Sequence, residues 1–188
     1  MSKFTIKSFE PLLAQIENET LRQQVLDVYE EIMAQSEFER FEDVPMVHKD
    51  HSKWNCQLVE HETNTTTAAL AVAECVEKAY GIKLDKDILI AGDLLHDGSK
   101  PLEYWKSETD VGHTKLMDQV GHSMIAANVA YNHGMPKEVV HIILSHTPYY
   151  KMPNASIESL LVYYTDVLDG EVRRNLVNLA VKAKKTVM

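Results

Sequence analysis

Apolar residues recur along this chain at helical rather than alternating spacing. After Pro11, which suits a helix start, Leu12, Leu13 and Ile16 are followed by Leu21, Val25, Val28, Tyr29 and Ile32, the one-face pattern of amphipathic helices. Two short helices or one kinked helix are predicted there. From about Val59 to Tyr80 the run HETNTTTAALAVAECVEKAY is Ala-rich and apolar over most of its circumference, as in a central helix, with Gly81 as C-cap and Asp85 as N-cap of the next element. That element carries Ile88, Leu89, Ile90, Ala91, Leu94 and Leu95, ends in His96 and Asp97, and is stopped by Gly98 and Pro101. Further helices are predicted over Val120 to Tyr131, Pro136 to Ser145 and, behind a Ser156 cap, through Ile157, Leu160, Leu161, Tyr164 and Leu168. Residues 36–55 mix charge, aromatics, Pro45, His48 and His51 without a period and read as an ordered connector. With no strand-like alternation, repeat or low-complexity segment, the expected fold class is all-α.

A chain of 188 residues fits one domain with a helical preface and can bury roughly two-thirds of its unfolded surface without a staple. Its 45% hydrophobic and 25% charged residues are those of an ordinary globular protein. The net charge of −9 disfavours a broad basic surface for polynucleotides, so long nucleic acid is not the expected partner and a small molecule is. Cys56 and Cys75 lack CxxC spacing, which suits a reduced, cytoplasmic setting. The start MSKFTIKSFEPLL has no apolar signal core, and no apolar run approaches the roughly 18 residues of a membrane span.

The chemistry concentrates where these helices carry acid and imidazole. His96 and Asp97 follow the apolar run ILIAGDLL, His61 lies 35 residues upstream on the Ala-rich helix, and Asp166 stands within LLVYYTDVL. An unpaired buried carboxylate costs several kcal/mol, which pairing or metal binding must offset. The competing reading of Asp166 is a cap or an ion pair with Arg173 or Lys100. His61 taken alone reads as a satisfied core histidine.

This order of a histidine, a His-Asp doublet and a distant aspartate on helices resembles the HD superfamily of metal-dependent hydrolases. LLHDGSK is similar to that family's LLHDIGK segment, with Lys100 retained. The segments LVEHETNTT, LIAGDLLHDGSK, VGHSMIAANVA, IILSHT and VYYTDVLDGEV, with the connector pair His48 and His51, resemble the HD domain of YhaM-type 3′-to-5′ exoribonucleases. The chain departs from those enzymes in lacking their OB-type domain and in its acidity. The resemblance implies an HD-domain helical bundle over residues 51–188, with 1–50 as a preface and connector packed on it, and a metal site between the central helices.

It further implies that His61, His96, Asp97, His122, His146 and Asp166 hold two divalent ions. Six nitrogen and oxygen ligands without a thiolate suit iron or manganese first, and also admit cobalt, nickel, magnesium or zinc. The implied activity is hydrolysis of a phosphomono- or phosphodiester of a nucleotide, short oligonucleotide or other small molecule by a metal-activated water. Asp97, Lys100 and His51 are the expected catalytic residues: Lys100 would offer charge to a substrate phosphate, and His51, with His48, would contact phosphate or protonate a leaving group. Arg173 and Arg174 read as solvated surface, and His113, His133 and His141 fall at no matched position. Trp105, Tyr104, Tyr149 and Tyr150 could stack on a ring but read first as packing lids. Two alternatives share the ligand set: a di-iron oxygenase acting on a small organic molecule, and a nucleotide-sensing domain without turnover.

Overall fold

The structure is a computed structural model that describes residues 5–47, 54–147 and 152–186. His48, His51, Tyr149 and Tyr150 lie outside the described residues. The described chain is helical almost throughout, as the periodicity predicts. A 3-10 turn, Lys7–Phe9, leads into α1, Glu10–Leu13, and α2, Glu19–Ala34. The connector holds a second 3-10 turn, Phe41–Asp43, and its Pro45 bridges to Gln57 just ahead of α3, Leu58–Tyr80. Then follow α4, Lys86–Leu95; α5, Lys100–Glu103; β1, Tyr104–Lys106; β2, Val111–His113; α6, Lys115–Val120; α7, His122–Asn132; α8, Lys137–Ser145; and α9, Ile157–Thr186.

Helix α4 is the axis of the bundle. Every residue from Leu89 to Leu95 is buried, and the helix packs against α2, α3, α8 and α9. Its N-cap Asp85 accepts from Ile88 N–H, and Asp87 accepts from the main-chain N–H groups of Glu17 and Asn18, both at 2.8 Å. Those bonds tie the preface to the central helix. On that side Tyr29 stands edge-on to Phe41, with Phe9 against both, and this aromatic group is continuous with Leu94, Leu95 and Val139. On the other side Ala69, Ala73, Leu89, Ile142, Leu161 and Val162 form a smaller core.

Among the described residues the fold is all-α, as expected, apart from one short antiparallel hairpin in which β1 and β2 pair Tyr104 with His113 and Trp105 with Gly112. Three-residue strands are too short to show a period of two, and a close approach sets this one: a Cβ on Gly112 would sit 2.4 Å from the Trp105 indole. One expectation needs correction. The helix expected from Val120 to Tyr131 is instead broken between α6 and α7 at Gly121, whose φ of 80° belongs to the left-handed region that glycine tolerates. The predicted caps at Gly81 (φ 66°) and Asp85 are present.

Gly92 lets α4 touch α8, since an added Cβ would lie 2.6–2.9 Å from three Ile142 side-chain atoms. Gly92→Ala gains about 1 kcal/mol of helix propensity but overpacks this contact at a cost of about 1–3 kcal/mol. The expected result is a lower urea midpoint at unchanged m. Combining it with Ile142→Val should cost less than the sum of the two single substitutions, because they share one contact.

Candidate metal centre

The local folding of each helix end explains why six separated polar residues meet. His61 sits in the first turn of α3, where Gln57 and Glu60 form a capping box. His96 is the C-cap of α4 and His146 the C-cap of α8, while His122 opens α7 just after Gly121. Asp97 lies in the tight turn that ends α4, and Asp166 projects from α9, which packs along α3.

All four histidines turn Nε2 toward one carboxylate. Asp97 Oδ2 is 3.6 Å from His61 Nε2 and 3.7 Å from His96 Nε2. Its Oδ1 is 3.1 Å from His122 Nε2 and 3.6 Å from His146 Nε2. Asp166 Oδ1 completes the first group, 3.3 Å from His61 Nε2 and 3.9 Å from His96 Nε2. Two sets could thus hold an ion: His61, His96, Asp97 and Asp166, and Asp97, His122 and His146. Donors at about 2.0–2.2 Å from a common ion lie about 3.0–4.2 Å apart, and the donor spacings fall in that range. Nitrogen and oxygen donors without thiolate suit a divalent first-row metal. The residues therefore fit the group that the sequence implies.

The far side of each ring is held as well. His61 Nδ1 is 2.7 Å from Asp169 Oδ2, His96 Nδ1 is 2.5 Å from the Asp93 carbonyl, His146 Nδ1 is 2.7 Å from the Ile143 carbonyl, and His122 Nδ1 is 3.6 Å from Glu103 Oε2. Partners at Nδ1 fix the tautomer that turns the Nε2 lone pair inward. Arg173 donates to Asp169 at 2.6 Å, so it braces the His61 partner rather than pairing with Asp166 or standing in solvent. Beneath the site the Tyr29 hydroxyl donates to Glu62 at 2.7 Å and also contacts the Leu94 carbonyl, and the Thr65 hydroxyl donates to Asp93 at 2.7 Å, all buried.

The electrostatics follow from this crowding. Burial opposes charge on His61 and His96, yet the facing carboxylates outweigh it and raise both pKa values, His96 most strongly. Burial would likewise raise Asp97 and Asp166, but Lys100, His96 and His122 hold Asp97 well below the usual carboxylate range, and His61 holds Asp166 down. Protons thus occupy the place of positive charge beside these acids, and an ion would displace them. Glu62 is pushed well above its ordinary value, first by burial. Burial pushes His122 down to about 4 despite Asp97 nearby.

Lys100 Nζ lies 3.2 Å from Asp97 Oδ2 and is buried. Its charge is engaged by the central carboxylate, although the residue still lines the cleft beside the site. That cleft, about 1010 Å³, is lined by Asp97, His122, His146 and Asp166 together with His113 and Arg174. Arg174 is two-thirds exposed and pairs with Glu171. His133 pairs with Glu31 at 2.7 Å, and His141 accepts from Ala155 N–H, both away from the cleft. Sequence reasoning passed over Asp169, Asp93, Glu62 and Glu103. The signal for Asp169 was its place three residues after Asp166 on one helix face, and for Asp93 an acid inside an otherwise apolar run.

Two outcomes follow. Tyr29→Phe leaves a buried Glu62 oxygen without its donor and should cost about 1–3 kcal/mol of stability in chemical denaturation. For metal-free protein, His122 protonates near 6.5 when unfolded but only near 4 when folded. Its penalty is absent above the unfolded value and grows to at most about 3 kcal/mol as the pH falls toward 4. His122→Gln should flatten that part of the urea midpoint against pH; an identical slope in both proteins would show that His122 is not held neutral.

Comparison with known proteins gives one relative and one family. The dihydroneopterin 2′,3′-cyclic phosphate phosphodiesterase of Methanocaldococcus jannaschii is 33% identical over 133 residues, 70% of this chain and 53% of that protein, so the chain spans about half the length of that relative. No solved structure matches. Among the described residues no helix is long and apolar enough to cross a membrane. The HD domain model matches residues 60–171, from the helix bearing His61 to the one bearing Asp166. The chain belongs to the HD-domain family.

Proposed function

We propose that the protein is a metal-dependent phosphohydrolase acting on a small nucleotide-like phosphoester, with a phosphodiester as the first candidate. The observation that carries this reading is the Asp97 carboxylate, whose two oxygens face two separate histidine sets in the lining of a cleft. His61, His96, Asp97 and Asp166 would hold one ion and Asp97, His122 and His146 a second, with iron or manganese favoured. Bound there, the ions would supply a water acidified toward a pKa of about 7 and positive charge to offset the negative charge building on the phosphoryl oxygens.

The residues of the chain do the rest. Asp169, Asp93 and Ile143 fix the ring nitrogens so that no imidazole must reorient when the ligands gather. Lys100 stays beside Asp97 and tunes that carboxylate, rather than reaching out to a substrate phosphate. A cleft bounded by acids as well as Arg174 suits a compact ester better than an extended polyanion, in line with the net charge of −9. The relative's named activity on a 2′,3′-cyclic phosphate supports a diester of a small ring-bearing molecule.

The first test is elemental analysis of protein purified without added metal, joined to hydrolysis of bis(4-nitrophenyl) phosphate and adenosine 2′,3′-cyclic phosphate with and without oxygen. About two ions per chain and oxygen-independent cleavage support the reading; iron without cleavage of either ester points to oxygen chemistry, and absence of metal removes the proposal. Asp97→Ala should strip both sets of their shared ligand and abolish turnover while keeping helical circular dichroism. Asp169→Asn should weaken metal binding by about 10–100-fold, the usual cost of losing the partner behind a histidine ligand.

A further inference from the structure

The hairpin is the one non-helical element among the described residues, and it brings an imidazole to the cleft. Helix α5 ends at Glu103, and β1 begins at the next residue. The register pairs Tyr104 with His113, and Thr114 closes the return by donating its N–H to the Glu103 carbonyl at 2.8 Å and its hydroxyl to the Leu102 carbonyl at 2.9 Å. Tyr104 is buried, donates to the Met46 carbonyl at 3.0 Å and lies against the His113 ring, with centroids 5.5 Å apart. The contact between Gly112 and the Trp105 indole holds the register. The position of His113 is therefore fixed by the hairpin rather than by a wandering loop.

Glu103 sits between this histidine and the metal centre. Its Oε1 is 3.5 Å from His113 Nε2, and its Oε2 is 3.6 Å from His122 Nδ1. The Glu103 side chain is largely buried, whereas that of His113 is 40% exposed. Of the histidines that line the cleft among the described residues, His122 and His146 belong to the ligand sets, and His113 does not.

We propose that His113 is the general acid of the reaction, donating a proton to the departing ester oxygen, and that Glu103 is the residue that positions it; this rests on the phosphohydrolase reading above. In the step, the hydroxide oxygen forms a new bond to phosphorus while the bond from phosphorus to the leaving oxygen breaks. The electron pair of that bond passes to the leaving oxygen, which takes the His113 proton and departs as an alcohol. The neutral imidazole then regains a proton from solvent. Proton donation of this kind is worth about 10²–10⁴-fold when the leaving group is basic and little when it is not.

Leaving-group dependence separates this role from a structural one. The probes are bis(4-nitrophenyl) phosphate, whose leaving group departs without help, and diphenyl phosphate, whose phenolate needs a proton. Assayed as metal-loaded protein, His113→Gln should lower kcat/KM by about 100-fold or more on diphenyl phosphate and by less than about fivefold on the nitrophenyl ester. Its metal content should equal that of the unsubstituted protein. Glu103→Gln should shift the ratio of the two rates in the same direction by a smaller factor. Equal losses on both esters, or a ratio that moves in Glu103→Gln but not in His113→Gln, would overturn the assignment. So would a steep preference of the unsubstituted protein for the nitrophenyl ester. Failure of the unsubstituted protein to cleave even that ester would instead remove the phosphohydrolase reading, and this one with it.

Discussion

The structure depends on one buried carboxylate shared between two sets of imidazoles. Asp97 lies at the end of the most buried helix of the bundle, where a lone charge would cost several kcal/mol. Here it is faced by His61 and His96 through one oxygen, by His122 and His146 through the other, and by Lys100 at 3.2 Å. No single helix can supply that surrounding. α3, α4, α7 and α8 must each bring a terminus to the same point, and α9 must lie along α3 so that Asp166 and Asp169 reach His61. The packing devices of the fold serve that convergence: Gly92 lets α8 close on α4, Gly121 starts α7 at His122, and Asp87 clamps the preface onto α4.

Using helix ends as ligand positions has a physical rationale. A side chain at a C-cap leaves the helix axis and can turn into the interior, and the last carbonyls, unpaired within the helix, are available to accept from its ring. His96 and His146 use this arrangement alike, each accepted at Nδ1 by a carbonyl three residues earlier. The same main-chain atoms thus satisfy the helix terminus and set the tautomer.

Much of this was legible in the sequence because buried polar residues stand out against apolar helices. His61, His96, Asp97 and Asp166 could be picked from the runs around them, and resemblance added His122 and His146; the structure brings all six together. The helix periodicity located α2, α3, α4, α8 and the start of α9, where amphipathic or apolar runs are long enough to fix a period. What escaped were features that exist only across distance. Asp169 meets His61 only once α9 is laid on α3, the Tyr29 hydroxyl meets Glu62 only in the packed core, and Glu103 meets His113 only when the hairpin returns. A three-residue strand leaves no periodic trace.

The hairpin also gives a reason why an all-helical scaffold would carry a scrap of sheet beside this cleft. Helices place side chains at fixed angular steps, and the helix termini around Asp97 are already committed to ligands. A group meant to act on a substrate above that plane must come from an element that can rise from the bundle and return in a defined register. Cross-strand pairing gives such control in few residues. The pairing of Tyr104 with His113 sets an imidazole beside a buried acid that also backs His122. One carboxylate then holds both His113 and His122, so a shift of the hairpin would be felt at the candidate ligand His122, and a shift of His122 at the hairpin.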